Sequence, residues 1–451
     1  MTVIRAVSTF FFTFLPLFAQ FNGSIPTGEA TPTPLSLSLD DAIARGLKTN
    51  VGLLARENSS IEARVQRMQL LAAMLPTVDA SFAMTEQQLS LSTFGFHIPG
   101  IPSVIGPFHY QDAGANADIP VYDGRTLNAW RSRKASQRAA DLSAKDARDL
   151  VVQAVASAYL QIIATSARVD ATKVQVDTAQ ALYERARDQH RAGTSPAIDE
   201  LRSQVELKTR QQQLLALQNQ VAKDKLSLAR AIGLPSGQMF EIGEKAPYTP
   251  LDGITPADAL QRAYAGRADY QSALAQVRAA ELAHRSVSDE WLPTASVNTS
   301  YDLVGQTLGD SHGTFSVSGS IRMNIFDGGR RRADMLDAST QVKQRKEDLA
   351  NLQGQIDQDV RSALLDLKSA ADQVAVAQDN VALAGQTLTQ ARDRFAAGVT
   401  DNIEVVQAQD SVASAQQNFI SAVYAHNLAK VALARAIGAT ETNLKTFMGG
   451  K

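Results

Sequence analysis

The 451 residues include six histidines and no cysteine. That leaves no thiolate metal ligand, thiol nucleophile or disulfide, and no cysteine to carry a lipid anchor. The histidines are scattered, without the H-E-x-x-H or i, i+4 spacing that would aim two imidazoles from one helical face at a metal. No P-loop, dinucleotide fingerprint or G-x-S-x-G elbow is present. No catalytic, cofactor or metal site is therefore expected. The chemistry the chain does offer is electrostatic. Asp199 and Glu404 each follow a glycine turn at the start of a helical stretch, where the helix dipole favours a carboxylate. Two basic clusters, Arg131-Arg133-Lys134 and Arg330-Arg331-Arg332, each follow a D-G pair. They suit anionic headgroups, or an ordinary solvated helix start.

The bulk composition sets the frame for these groups. A formal charge of −2 argues against a nucleic-acid binder, which needs a strong basic excess. Aromatics make up only 6% of the chain while Ala and Gln are frequent, a balance that favours long helices. Residues 1–19 read as an export signal, with Arg5 ahead of a short apolar run too brief to span a bilayer as a helix. Its cleavage point is not defined by the pattern. No later stretch is expected to form a transmembrane helix, so any membrane insertion must use strands.

The chain is a duplication. Ala186-Arg187-Asp188 recurs as Ala391-Arg392-Asp393, an offset of 205. At the same offset Ala192-Gly193 becomes Ala397-Gly398, Ile198 becomes Ile403, and Leu228-Ala229-Arg230-Ala231-Ile232-Gly233 becomes Leu433-Ala434-Arg435-Ala436-Ile437-Gly438. Leu75-Pro76-Thr77 recurs as Leu292-Pro293-Thr294, and Tyr122-Asp123-Gly124 is echoed by Phe326-Asp327-Gly328. The first repeat is set at 37–233, the second at 258–438, with a Pro- and Gly-bearing linker at 234–257 and a tail at 439–451. Each repeat reads helix, strand, strand, long helix, turn, helix.

Strands are expected at about 77–86, 110–122, 294–303 and 314–326. In the last, Phe315, Val317, Gly319 and Ile321 alternate with Ser316, Ser318, Ser320, Arg322 and Asn324, giving one greasy and one wet face. The same phase holds for Ala113, Ala115, Ala117 and Ile119 against Asp112, Asn116 and Asp118. Half-buried strands of a soluble sheet alternate likewise, but here the next segments are helical stretches too long to form a covering layer. Residues 127–191 contain neither proline nor glycine. At 1.5 Å per residue such a helix extends roughly 95 Å and must pack along neighbours rather than within one globule. Its counterpart at 333–397 is crossed by single glycines at Gly354 and Gly385, which weaken a helix without ending it. The chain then reverses at Ala192-Gly193-Thr194-Ser195-Pro196 and at Ala397-Gly398-Val399-Thr400, joining antiparallel helices.

In hydrocarbon, strands survive only in closed barrels. Four strands cannot close. Eight, from two chains, leave an interior filled by side chains, whereas twelve, from three, leave an opening. Ser316, Ser318, Ser320, Arg322 and Asn324 would then line a wet lumen.

The duplicated plan, with L-P-T before each repeat's first strand, D-G after its second, paired A-G turns and the closing A-R-A-I-G motif, resembles the TolC family of outer-membrane efflux and secretion channels. The resemblance covers nearly the whole chain beyond residue 37. It implies an α+β membrane protein: a homotrimer whose 12-stranded barrel lies in outer-membrane lipid and continues into a long periplasmic α-helical barrel. It implies a passive exit duct for a tripartite pump or type I secretion system, with a periplasmic adaptor and an inner-membrane transporter as partners. By position it implies that the two tips, Ala192, Gly193 and Thr194 with Ala397, Gly398 and Val399, meet the adaptor. Glu404 and Gln407 fall where the family often has two acidic pore-facing layers, with Asp199 the first-repeat mate of Glu404. Glutamine at the second position implies a weaker ring. Two other classes stand beside this reading. A solid adhesive stalk would need one strict heptad seam in place of this mixed Ala/Gln pattern, and a secreted enzyme would need catalytic residues that are not seen.

Overall fold

The computed structural model describes residues 23–95, 99–243, 248–251, 253–397, 399, 400, 402–441 and 447. In chain order its elements are β1 (Leu35–Ser36), α1 (Leu39–Thr49), α2 (Val51–Ala72), β2 (Thr77–Ser90), β3 (Val104–Tyr122), α3 (Gly124–Arg191) and α4 (Ala197–Ala231). The second half follows with β4 (Phe240–Glu241), α5 (Pro256–Gly266), α6 (Ala268–Ser288), β5 (Thr294–Gly305), β6 (His312–Arg322), α7 (Arg330–Ala396) and α8 (Asn402–Ala436). Two compact units result. One is drawn from Met1–Asn58, Leu142–Gln271 and Asn351–Lys451; the other from Ser59–Asp141 and Ser272–Ala350.

The second of these holds one antiparallel sheet in the order β2-β3-β5-β6. Its helical part is zipped by serines. Ser132 donates to the Ala279 carbonyl at 2.8 Å, Ser272 to that of Ala139 at 2.8 Å, and Ser286 to that of Arg125 at 2.7 Å. Steps of seven along α3 match steps of seven along α6 in reverse, so one antiparallel register carries all three bonds. Small side chains at heptad spacing let the backbones approach closely. Both D-G acids serve as helix caps. Asp123 accepts from the Thr126 amide at 3.0 Å, and Asp327 accepts from the amides of Gly329 and Arg331, both at 3.2 Å.

The other unit is helical, with a two-stranded parallel pairing of β1 and β4. One core gathers Val152, Ala156 and Leu160 of α3 with Ile356 and Val360 of α7 and Val431 and Leu433 of α8. A second gathers Leu37, Val151, Val155, Tyr159, Leu228 and Ile232, with the Tyr159 hydroxyl donating to the Leu37 carbonyl at 3.1 Å. This apolar run gives α3 an 18-residue window long and apolar enough to cross a membrane, against the sequence expectation. More than half of that window, 56%, is buried in the fold, as in a core helix.

Two further expectations are corrected. The single helix expected ahead of the strands is broken in each repeat, at Asn50 and at Arg267, both in extended backbone. Asn50 closes α1 and its carboxamide oxygen accepts from the Leu53 amide at 3.2 Å, capping α2 as well. Arg267 is held by Asp269 at 2.7 Å and Asp359 at 2.8 Å. The last strand ends at Arg322, not 326, because Arg322 pairs with Thr294, the first residue of β5. Beyond it the ladder has no partner. Asn324 is therefore outside the strand. The export signal at 1–19 lies outside the described residues.

Candidate functional site

Over residues 77–82, 113–119, 295–301 and 315–322 the sheet sorts its side chains into a polar and a largely apolar face. The rows Asp79–Asn116–Ser300–Ser316 and Thr77–Asp118–Asn298–Ser318 run across all four strands on one face. Ser316 and Ser300 share a hydroxyl bond at 3.1 Å, and Ser320 and Ser296 one at 2.9 Å. Arg322 lies on the same face, opposite Thr294. The other face carries Val78–Ala117–Thr299–Val317 and Ala80–Ala115–Tyr301–Phe315. There Ile321 is 80% exposed, Phe315 79% and Val78 72% in the single chain. Leaving that much apolar surface in water forfeits about 25 cal/mol for each Å², so this face requires a non-aqueous neighbour. β2 and β6 form the sheet's two edges.

The hairpin tips are closed by the same device in both repeats. The Thr194 amide bonds the Gln189 carbonyl at 2.9 Å, and the Val399 amide bonds the Arg394 carbonyl at 3.0 Å, the long-loop bond of a glycine-terminated helix. Gly193 supplies the left-handed residue at φ +70. Gly398 lies outside the described residues. Ala192, Gly193, Thr194, Ala397 and Val399 are all exposed, Val399 by 69%.

Behind each tip a hydroxyl holds an acid four residues on. Ser195 donates to Asp199 at 2.9 Å, and Thr400 donates to Glu404. These pairs obey the 205-residue offset, so duplication has preserved a local bond as well as a sequence. Their partners differ. Glu404 also receives Arg394 from α7 at 3.0 Å, across the turn, whereas Asp199 faces Arg202 of its own helix at 3.8 Å.

α4 and α8 together line a groove of about 490 Å³. Its walls are repeat mates: Ile198 with Ile403, Leu201 with Val406, and Arg202 with Gln407. One turn beyond Glu206 in the groove wall, Arg210 is buried at 8% exposure and joins the helices. Its guanidinium donates to Glu206 at 2.6 Å, to Gln213 at 3.1 Å and to Asp410 of α8. Sequence reading missed both groove and clamp. Ile198, Leu201 and Val205 at helical spacing were the available signal for the groove; nothing marked Arg210 among other helix charges.

Of the second basic cluster, Arg331 is consumed within the fold, which removes it from the residues free to meet a headgroup. Arg331 is 3% exposed, bonded to Asp327 at 2.6 Å and seated 4.0 Å over the Trp291 ring. Arg330 pairs with Asp334 at 3.4 Å and Glu290 at 3.7 Å. Of the apolar segment after β2, Phe94 and Ile101 are exposed, and residues 96–98 lie outside the described residues. Among the described residues no group of His, Asp or Glu is arranged to hold a metal.

A sequence model described as outer membrane efflux protein matches twice, over residues 44–234 and 259–439. The pyoverdine export outer membrane protein OpmQ of Pseudomonas aeruginosa is 22% identical over 414 residues, covering 89% of this chain and 85% of OpmQ. Among solved structures, a membrane protein from Pseudomonas aeruginosa superposes with a TM-score of 0.77 at 18% identity, covering 92% of this chain and 97% of that one. The outer membrane protein VceC of Vibrio cholerae gives 0.74 at 17% identity, with 89% and 96% covered. These likenesses establish the fold expected from the sequence: a strand-built barrel and a helical barrel of the TolC type.

Proposed function

We propose that this chain, which belongs to the outer membrane efflux protein family, is one third of a homotrimeric exit duct that passively conducts cargo to the outside. It is an outer-membrane protein with a periplasmic helical extension, and its family works as trimers with pump components. The observation that carries the proposal is the sheet: apolar on one face, polar on the other, with β2 and β6 as edges. An open edge in lipid leaves amides and carbonyls without partners, each costing several kcal/mol. Pairing β6 of one copy with β2 of the next removes every edge. Three copies supply twelve strands, with Ser316, Ser318, Ser320 and Arg322 turned to water and Phe315, Val317 and Ile321 to acyl chains.

Ala192, Gly193, Thr194, Ala397, Gly398 and Val399 are the proposed landing points for a periplasmic adaptor, which couples the duct to an inner-membrane transporter. Ala192, Gly193, Thr194 and Ala397, small and exposed at a helical turn, admit close approach by another hairpin. Glu404, with Asp199 and Gln407, is the proposed entrance ring. In three copies, carboxylates at one constriction favour cations. The Arg394 pairing offsets part of that field, so the ring is selective without being strongly so. The cargo is set by the transporter; pyoverdine export is recorded for OpmQ alone.

Planar-bilayer recording of the purified trimer tests this. In a KCl gradient the wild-type channel is expected to favour K⁺, and Glu404→Gln to lose most of that preference with Asp199→Asn losing less. A protein that inserts without conducting would overturn the duct, and unchanged selectivity in Glu404→Gln would remove Glu404 from the pore.

A further inference from the structure

The linker between the repeats is fastened to α8 through an unusual pair of groups. His426 and Lys430, one helical turn apart, are each 0% exposed. Lys430 Nζ donates to the Thr249 hydroxyl at 2.9 Å. The His426 imidazole lies against the Tyr248 ring, centroids 5.1 Å apart and planes tilted by 58°. Among the described residues neither imidazole nitrogen has a hydrogen-bond partner. A leucine would fill this space without that desolvation cost, so a histidine here contributes something other than packing.

On α7, Arg361, Lys368 and Asp372 line a cavity of about 690 Å³ that linker residues Pro250 and Ile254 help to enclose. On the other flanks of α8, Arg168 of α3 bonds Ser421 at 2.9 Å and Asp224 of α4 bonds Thr165 at 2.8 Å. Among the described residues no carboxylate bonds or pairs with His426 or Lys430. A proton added to His426 therefore meets an ammonium four residues away, in a buried setting where like charges repel strongly.

We infer that Tyr248 and Thr249 form an acid-released clasp, holding the linker to α8 while His426 is neutral and letting go when it is protonated. Burial, reinforced by the Lys430 charge, holds the His426 imidazole below its ordinary value. The clasp's stability is then complete above the open-state value of about 6.5 and is lost as pH falls through the lower, closed-state value. Lys430 does not set this window. Burial pushes it down to about 8, so it is already charged at neutral pH and its own effect lies above that range.

Hydroxyl-radical footprinting of the intact detergent-purified protein reads the clasp through oxidation of the linker residue Leu251, with exposed Leu75 as internal reference. Between pH 7.5 and 5.5 the Leu251 rate is expected to rise up to about tenfold, the limit for one coupled proton. His426→Leu should hold it flat. Lys430→Met removes the Thr249 hydrogen bond together with the repelling ammonium, so it should raise the Leu251 rate at pH 7.5 and shrink its further rise on acidification. A flat wild-type profile, or a His426→Leu protein that responds like wild type, overturns the clasp. If His426→Leu does not assemble, Lys430→Met decides alone: a raised rate at pH 7.5 with a smaller rise on acidification supports the proposal, and a wild-type profile refutes it.

Discussion

The two repeats match in their helices and part company in their strands. α3 and α7 contain 68 and 67 residues, and α4 and α8 contain 35 each. β2 and β3, by contrast, have 14 and 19 residues where β5 and β6 have 12 and 11. Even the bonds agree in the helical parts, down to the hydroxyl–acid pairs behind the tips. The difference follows from what each segment has to meet. A helix in a closed ring shares its register with neighbours on both sides, so one added residue turns every later side chain by about 100°. A hairpin loop past the lipid meets nothing that fixes its length. Each repeat thus behaves as an interchangeable stave of the helical ring, two per chain, while the strand ends were free to diverge.

The largest expected effect breaks this comparison directly. One alanine inserted between Gln213 and Leu214 in α4 should abolish trimers, since it carries the distal part of the helix off its packing face. The same insertion after Gly95, between β2 and β3, should leave trimer yield on unheated gels unchanged. Equal outcomes at the two places would remove the argument from register.

A smaller effect sharpens it at the glycines. Gly438 has φ +68, and a Cβ there would stand 2.4 Å from the Arg267 backbone nitrogen. Gly193 has φ +70 but nothing within 4 Å. Gly193→Ala should cost only the left-handed strain of about 1–2 kcal/mol. Gly438→Ala should add overpacking to it, for a total of roughly 2–5 kcal/mol. Chemical denaturation of the two variants orders them, and equal losses would mean that the Arg267 backbone yields.

Much of this was legible in the residues because duplication repeats its own evidence. The 205-residue offset exposed the tips and helix ends, and strict alternation in 315–322 exposed the two faces of the sheet. What escaped was decided by partners that local pattern does not record. Met323, Asn324 and Ile325 continue the alternation, yet β5 begins at Thr294 and offers them no partner within the chain. The break at Arg267 is held by Asp359, 92 residues away, which only the fold brings near, while that at Asn50 rests on a local cap bond to Leu53 that its residue type permits without announcing. Arg331 reads as one of three solvated arginines until Trp291 and Asp327 enclose it. Arg210 joins α4 to α8 through Asp410, 200 residues away, which no window along the chain reveals.

The central claim is that three copies close one hollow barrel. Electron cryo-microscopy of the detergent-purified protein tests it most directly, by symmetry and by the strand ring in cross-section. Threefold particles with twelve strands around an open lumen are expected, β6 of each copy beside β2 of the next. Twofold particles, or a threefold rod whose helices fill its axis, would contradict it.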